Sequence, residues 1–142
     1  MNRLSIEKAL LEGSLVREPI GDEQGYWVWA PGWVWDETDQ AAYLCYRIRR
    51  PRGVEPDRGG EVRIAKSSNF ETFEDVWSVH KSAYESASIE KSTIKRGKDG
   101  LWRYFTSYVA PEDGRWCTSI NKAKSVETLD TVNTQRQFSA TY

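Results

Sequence analysis

The sequence predicts an all-β protein built from two four-stranded antiparallel meanders, with a short helix ahead of them. Three observations carry that expectation. Seven Trp, seven Tyr and four Phe make 13% of the 142 residues aromatic, and aromatic side chains, like β-branched ones, fit the half-buried surface of a sheet. From Trp27 onward the helical period disappears and apolar residues recur every second position. The strand pattern then restarts: Ala65–Ser67 reads AKS and so does Ala123–Ser125, each closing the third strand of a unit.

Residues 1–25 form an N-terminal segment. Within it, LSIEKALLE (4–12) has the apolar positions of a short helix in Leu4, Ala9 and Leu11, with Gly13 to end it. The stretch SLVREPIGDEQGY holds Pro19 and two glycines and reads as extended chain. A first strand, WVWAPGWVW, is followed by the polar turn DETDQ. In AAYLCYRIR, the second strand, Ala42, Leu44, Tyr46 and Ile48 share one face. The Arg/Gly/Pro loop RPRGVEPDRGG leads into EVRIAKSS, where Val62 and Ile64 share a face, and FEDVWSV is a shorter fourth strand. The second unit repeats the plan. SIEKSTIK is a strand, RGKDG a turn, LWRYFTSYV an alternating strand, APEDG a hairpin turn and RWCTSINKAKS the strand after it. The units span about residues 26–80 and 86–142, together one domain over 26–142. Two meanders in the same order fit blades related by rotation, a partial β-propeller. Two meanders packed as a β-sandwich fit the same pattern.

Bulk properties narrow the function. The net charge is −1, so no overall basic field draws the chain to nucleic acid. No apolar run reaches the ~20 residues that cross a bilayer, and the N-terminus lacks the apolar centre of a signal peptide. The expectation is a soluble, cytoplasmic protein with no nucleic-acid or membrane partner. Cys45 and Cys117 sit in apolar segments and read as free thiols. His80 is the sole histidine, so neither a histidine triad nor a zinc cluster is expected, and no metal or cofactor is called for.

The stretches APGWVWDETDQAAYLCYRIRRPRG, RGGEVRIAKSSNFETFEDVWSV and SIEKSTIKRGKDGLWRYFTSYVAPEDGRW resemble the five-bladed β-propeller glycosidases, the superfamily of glycoside hydrolase families 43 and 32. The resemblance covers about residues 26–127, with about two blades present. It implies an active site at one end of a central channel. There an early Asp serves as base or nucleophile, a second Asp tunes it, and a Glu in an S-x-E setting serves as acid. Ser88-Ile89-Glu90 matches the last element, and Ala30-Pro31 stands where members often show Asp-Pro. Two blades leave sheet edges open, so self-association, or another chain completing the ring, is expected.

Strand direction sorts the charged residues. Antiparallel order puts the entry of each first strand at the same end as the loop between strands two and three. Glu90 therefore shares an end with the loop 50–60, which carries Glu55, Asp57 and Arg58, and with Glu61. Asp36, Asp39 and Asp99 fall in turns at the far end, where Asp is a favoured turn former. Glu90 is the candidate catalytic acid, which must hold a proton before it acts; pairing with an arginine of the loop region, or plain exposure, are its other roles. Asp57 and Glu61 are the nearest candidates for the second carboxylate of a glycosidase pair. Arg47, Arg49 and Arg63 share strand parity that aims them together, and with Arg58 they suit carboxylates, phosphates or sugar hydroxyls. Trp29, nearest that end, is the expected stacking platform for a sugar; alternation places it beside Trp33 and Trp35 unless Pro31-Gly32 breaks the strand. Two functions follow. One is a glycosidase with Glu90 as proton donor. The other is a non-catalytic carbohydrate-binding or assembly module on the same fold, which Ala30 and the short chain favour.

Overall fold

The computed structural model of the protein describes residues 12–56, 59–131 and 135–139, the last five as backbone. The expected helix at 4–12, apart from Glu12, lies outside the described residues, as do Asp57 and Arg58. Among the described residues the chain forms two four-stranded antiparallel meanders. The first runs β1 (Trp27–Asp36), β2 (Ala41–Arg49), β3 (Glu61–Ser67) and β4 (Glu74–His80). A 3-10 turn, Lys81–Tyr84, leads to the second: β5 (Ile89–Arg96), β6 (Trp102–Val109), β7 (Trp116–Ala123) and β8 (Gln135–Ser139). No helix among the described residues is long and apolar enough to cross a membrane.

One core lies between the sheets. Tyr43, Cys45, Val62, Ile64 and Val79 of the first pack against Ile89, Ile94, Trp102, Tyr104 and Tyr108 of the second. Aromatic edges interlock there, with ring centroids 4.7 Å apart for Tyr43–Trp102 and 4.9 Å for Trp77–Tyr104. The core also holds hydroxyls, which satisfy one another: Ser92 Oγ lies 2.9 Å from Tyr104 OH and 2.6 Å from Thr106 Oγ1. Both cysteines are free and buried, and burial pushes the Cys45 thiol up to about 12. Where β1 meets β5 the approach is close. A Cβ on Gly32 would stand 3.3 Å from the Ser92 carbonyl oxygen, so the absence of a side chain sets the spacing of the two first strands.

The far end is closed by charge. Arg96, ending β5, donates from Nε to Asp36 at 3.0 Å and from Nη2 to Asp39 at 2.5 Å, and its guanidinium lies 4.8 Å from the Trp102 ring centre. Asp36 and Asp39 thus tie the β1–β2 turn to the second sheet.

Register decides which side chains share a face, and here it departs from simple alternation. Trp27 pairs with Arg49 and Trp29 with Arg47, but Gly32 pairs with Cys45. Ala30 and Pro31 together span Tyr46, and Ala30 takes a positive φ of 53°. The bulge reverses the parity of β1. Trp33 and Trp35 therefore lie on the face opposite Trp29, where both pack on Phe70; the expected row of three indoles does not exist.

The same register corrects the arginine set. Arg63 pairs with Tyr46, and Glu61 with Ile48. Tyr46 and Ile48 belong to the cluster on the first sheet's outer face, with Ala65, Val28, Leu44 and Phe73. Arg63 and Glu61 therefore face away from Arg47 and Arg49. Odd residue numbers on two antiparallel strands share a face only if the register pairs odd with odd, and here it pairs odd with even. The N-terminal segment crosses that outer face. Arg17 donates to Tyr46 OH at 3.1 Å, to the Phe73 carbonyl at 2.6 Å and to Asp75 at 3.0 Å. Tyr46 donates to Asp75 at 2.6 Å and Arg63 does so at 3.2 Å.

Candidate functional site

The loop between β2 and β3 reaches the entry of β5. Ile89 N donates to the Gly59 carbonyl at 2.8 Å. Gly59 has φ +64°, and a Cβ there would collide with Ser88, so a bare backbone is what lets the loop lie against the strand. On the other side, buried Ser86 fixes the strand entry. Its Oγ accepts from Ser88 N at 3.2 Å and Val109 N at 3.1 Å, and its proton faces the Val109 carbonyl at 2.7 Å.

Glu90 emerges from this anchored entry at a bulge. Ile89 pairs with Tyr108 and Ser92 with Thr106, so Glu90 and Lys91 together oppose Ser107. A regular strand would send neighbours to opposite faces; the bulge instead buries Ile89 and Ser92 three residues apart and re-aims the two between them. Glu90 turns toward the first sheet. There Arg47 Nη1 donates to Glu90 Oε2 and, at 3.4 Å, to the Ile89 carbonyl. The Arg47 side chain is 8% exposed and that of Glu90 41%, so the pair has a buried cation and a carboxylate open to a hollow. The hollow is a pocket of about 330 Å³ lined by Trp27, Trp29, Arg47, Arg49 and Glu90.

The structure thus brings together four of the residues singled out from sequence: Glu90, Trp29, Arg47 and Arg49. It sends Glu61 and Arg63 to the other face of the first sheet, where Arg63 Nε donates to Glu61 at 2.6 Å. It adds Trp27, which sequence reading passed over. The signal was available, since Trp27 and Trp29 are two apart on one strand and so share a face.

Trp27 is 51% exposed and Trp29 57%. Neither is core packing. Two open indoles beside a guanidinium–carboxylate pair offer flat apolar surface for stacking, and fixed donors and acceptors at its edge. A general acid must carry a proton to give, and here the Glu90 carboxylate accepts a hydrogen bond from Arg47. Among the described residues the lining holds one carboxylate, and no group of three or more His, Cys, Asp or Glu is placed to hold a metal ion.

Comparison with known proteins gives a fold. No family model matches the chain, and no curated protein matches it. A solved structure does: a GH43_1 enzyme from Xanthomonas citri complexed with xylotriose, at a TM-score of 0.60 and 12% identity, over 92% of this chain and 37% of that one. The chain spans little more than a third of that enzyme's length. At this identity the likeness is one of fold, and it is the propeller, not the sandwich, that the two meanders form: a partial β-propeller similar to part of a glycoside hydrolase family 43 enzyme.

Proposed function

We propose that this protein is a carbohydrate-binding module that holds a sugar in the pocket between Trp27, Trp29 and the Arg47–Glu90 pair. The observation that carries the reading is the pairing of two open indoles with fixed charged groups in one hollow at the end of the first strands. A sugar ring has apolar C–H faces and a polar rim, and the lining offers a counterpart to each. The xylotriose bound by the structurally similar enzyme supports a sugar as the kind of ligand. A single carboxylate in the described lining, engaged by Arg47, supports binding over hydrolysis, which uses a pair of carboxyls.

Titration of tryptophan fluorescence with xylo-oligosaccharides and a panel of other soluble glycans tests this. Saturable binding is expected, weakened at least about tenfold in Trp29→Ala, as for an aromatic anchor at the centre of an interface. A panel that leaves the fluorescence unchanged would end the proposal.

Hydrolysis has its own support in one observation: Glu90 lines the pocket with its carboxylate partly open. Nitrophenyl glycosides assayed against wild type and Glu90→Gln separate the two functions. No turnover is expected from either; turnover abolished by Glu90→Gln would restore Glu90 as proton donor.

A further inference from the structure

We propose that the pocket selects a sugar that carries a carboxylate, a uronic acid, and that Arg49 is the residue that reads it. The inference rests on the carbohydrate reading and narrows it to a substrate class. Three observations meet at Arg49.

The first is charge. The described lining holds two guanidiniums and one carboxylate. Arg47 is engaged by Glu90 and by the Ile89 carbonyl. That leaves one cation in excess, and it is Arg49. The second is an unmet donor. Nε of Arg49 is buried, with no hydrogen-bond partner among the described residues. A buried donor left without an acceptor costs desolvation with nothing in return, and no acceptor among the described residues holds this guanidinium in place of a ligand. The third is placement. Arg49 pairs in register with Trp27, and its neighbour two positions back, Arg47, pairs with Trp29. Each arginine therefore stands beside an indole in the pocket lining.

A guanidinium presents N–H groups in a planar fork that matches the two oxygens of a carboxylate. A hydroxyl could accept one such bond but would leave the charge unbalanced. A sulfate ester shares the negative charge without the planar match, so it belongs among the controls.

The experiment is calorimetric titration of the whole protein with an oligogalacturonide, its methyl ester and a sulfated oligosaccharide. The ester keeps the ring and removes only the charge. The acid is expected to bind at least about tenfold more tightly than the ester, in line with a charged hydrogen bond, with a gap that narrows as salt is added. Arg49→Gln is expected to bring the acid down to the affinity of the ester, and Trp29→Ala to weaken both. Equal binding of acid and ester would overturn the uronic-acid inference and leave the carbohydrate reading standing. Sulfated sugar bound as tightly as the acid would overturn carboxylate selectivity. No binding of the acid, the ester or neutral xylo-oligosaccharides would overturn both readings at once. If Arg49→Gln does not fold, the comparison of acid with ester on the wild type decides alone.

Discussion

Glu90 and Arg47 meet as opposite charges of unequal exposure, and that inequality sets the cost of separating them. Removing the partner of a buried charge costs about 3–5 kcal/mol when both groups are enclosed. Here Glu90 is open to water on one side and Arg47 keeps the Ile89 carbonyl. Glu90→Gln is therefore expected to destabilise the fold by about 1–2 kcal/mol after that screening, measured as a lower urea midpoint with an unchanged slope. A midpoint equal to wild type would mean that the pair contributes nothing, and that Arg47 finds its partner elsewhere. At Gly32 the constraint is steric. Any Cβ meets the Ser92 carbonyl, and backbone cannot step aside as a flexible side chain can. Gly32→Val is expected to cost about 1–3 kcal/mol by overpacking. Urea unfolding checks it, and a neutral result would show that β1 and β5 are free to slide apart.

At the scale of elements, the N-terminal segment is held to the outer face of the first sheet through Asp75. Burial alone would raise the Asp75 carboxyl; hydrogen bonds from Tyr46, Arg17 and Arg63 outweigh it and hold the group below its ordinary value of 3.8. The Tyr46 hydroxyl moves the other way, pushed up to about 12 by burial and by its bond to Asp75. A carboxyl whose folded value is depressed contributes stability that is complete above its unfolded value and lost as pH falls through the folded one. Asp75→Asn is thus expected to cost about 1 kcal/mol near neutral pH, once solvent screening is allowed for, and to cost nothing once pH has fallen well below 3.8. Urea midpoints across the acid range check it; a cost that stays constant through that range would mean that shape, not charge, holds the strap. This network also shows where sequence reading ran out. Strand order, the turns and the repeat were legible because period-two alternation and turn residues are local signals. The bulges at Ala30-Pro31 and Glu90-Lys91 were only half legible: Pro31-Gly32 warned of the first, and nothing in SIEK marks the second. Because one extra residue inverts every later side chain on a strand, the sequence alone joined Trp33 to Trp29; because no local signal reports that β2 and β3 pair odd with even, it joined Arg63 to Arg47. Four of the residues lining the pocket were already grouped from sequence, because strand direction decides which end a residue occupies whatever its register.

For the whole molecule the decisive fact is that the two sheets share their main core, beside which the outer cluster of the first sheet is small. The inner face of each is covered by the other, and the interlocked Tyr43–Trp102 and Trp77–Tyr104 pairs belong to both. The pocket depends on the same union, since Trp27, Trp29, Arg47 and Arg49 come from the first sheet and Glu90 from the second. Two blades that merely leaned together would unfold separately, and the pocket would open before either melted. One shared core makes the opposite demand: what loosens the interface must melt both sheets and release the pocket in a single step. Tyr104→Ala tests this at the centre, because Tyr104 is fully buried, touches Trp77 across the interface and holds Ser92 by a hydrogen bond. The expected loss is about 3–5 kcal/mol, as for other large aromatic truncations in a core. It should appear as one transition, with tryptophan fluorescence, which reports chiefly the first sheet and the pocket, coincident with far-ultraviolet circular dichroism, which reports both. If fluorescence changed first and a second transition followed, the sheets would be independent units, and a site assembled from both of them would not survive as a fixed pocket.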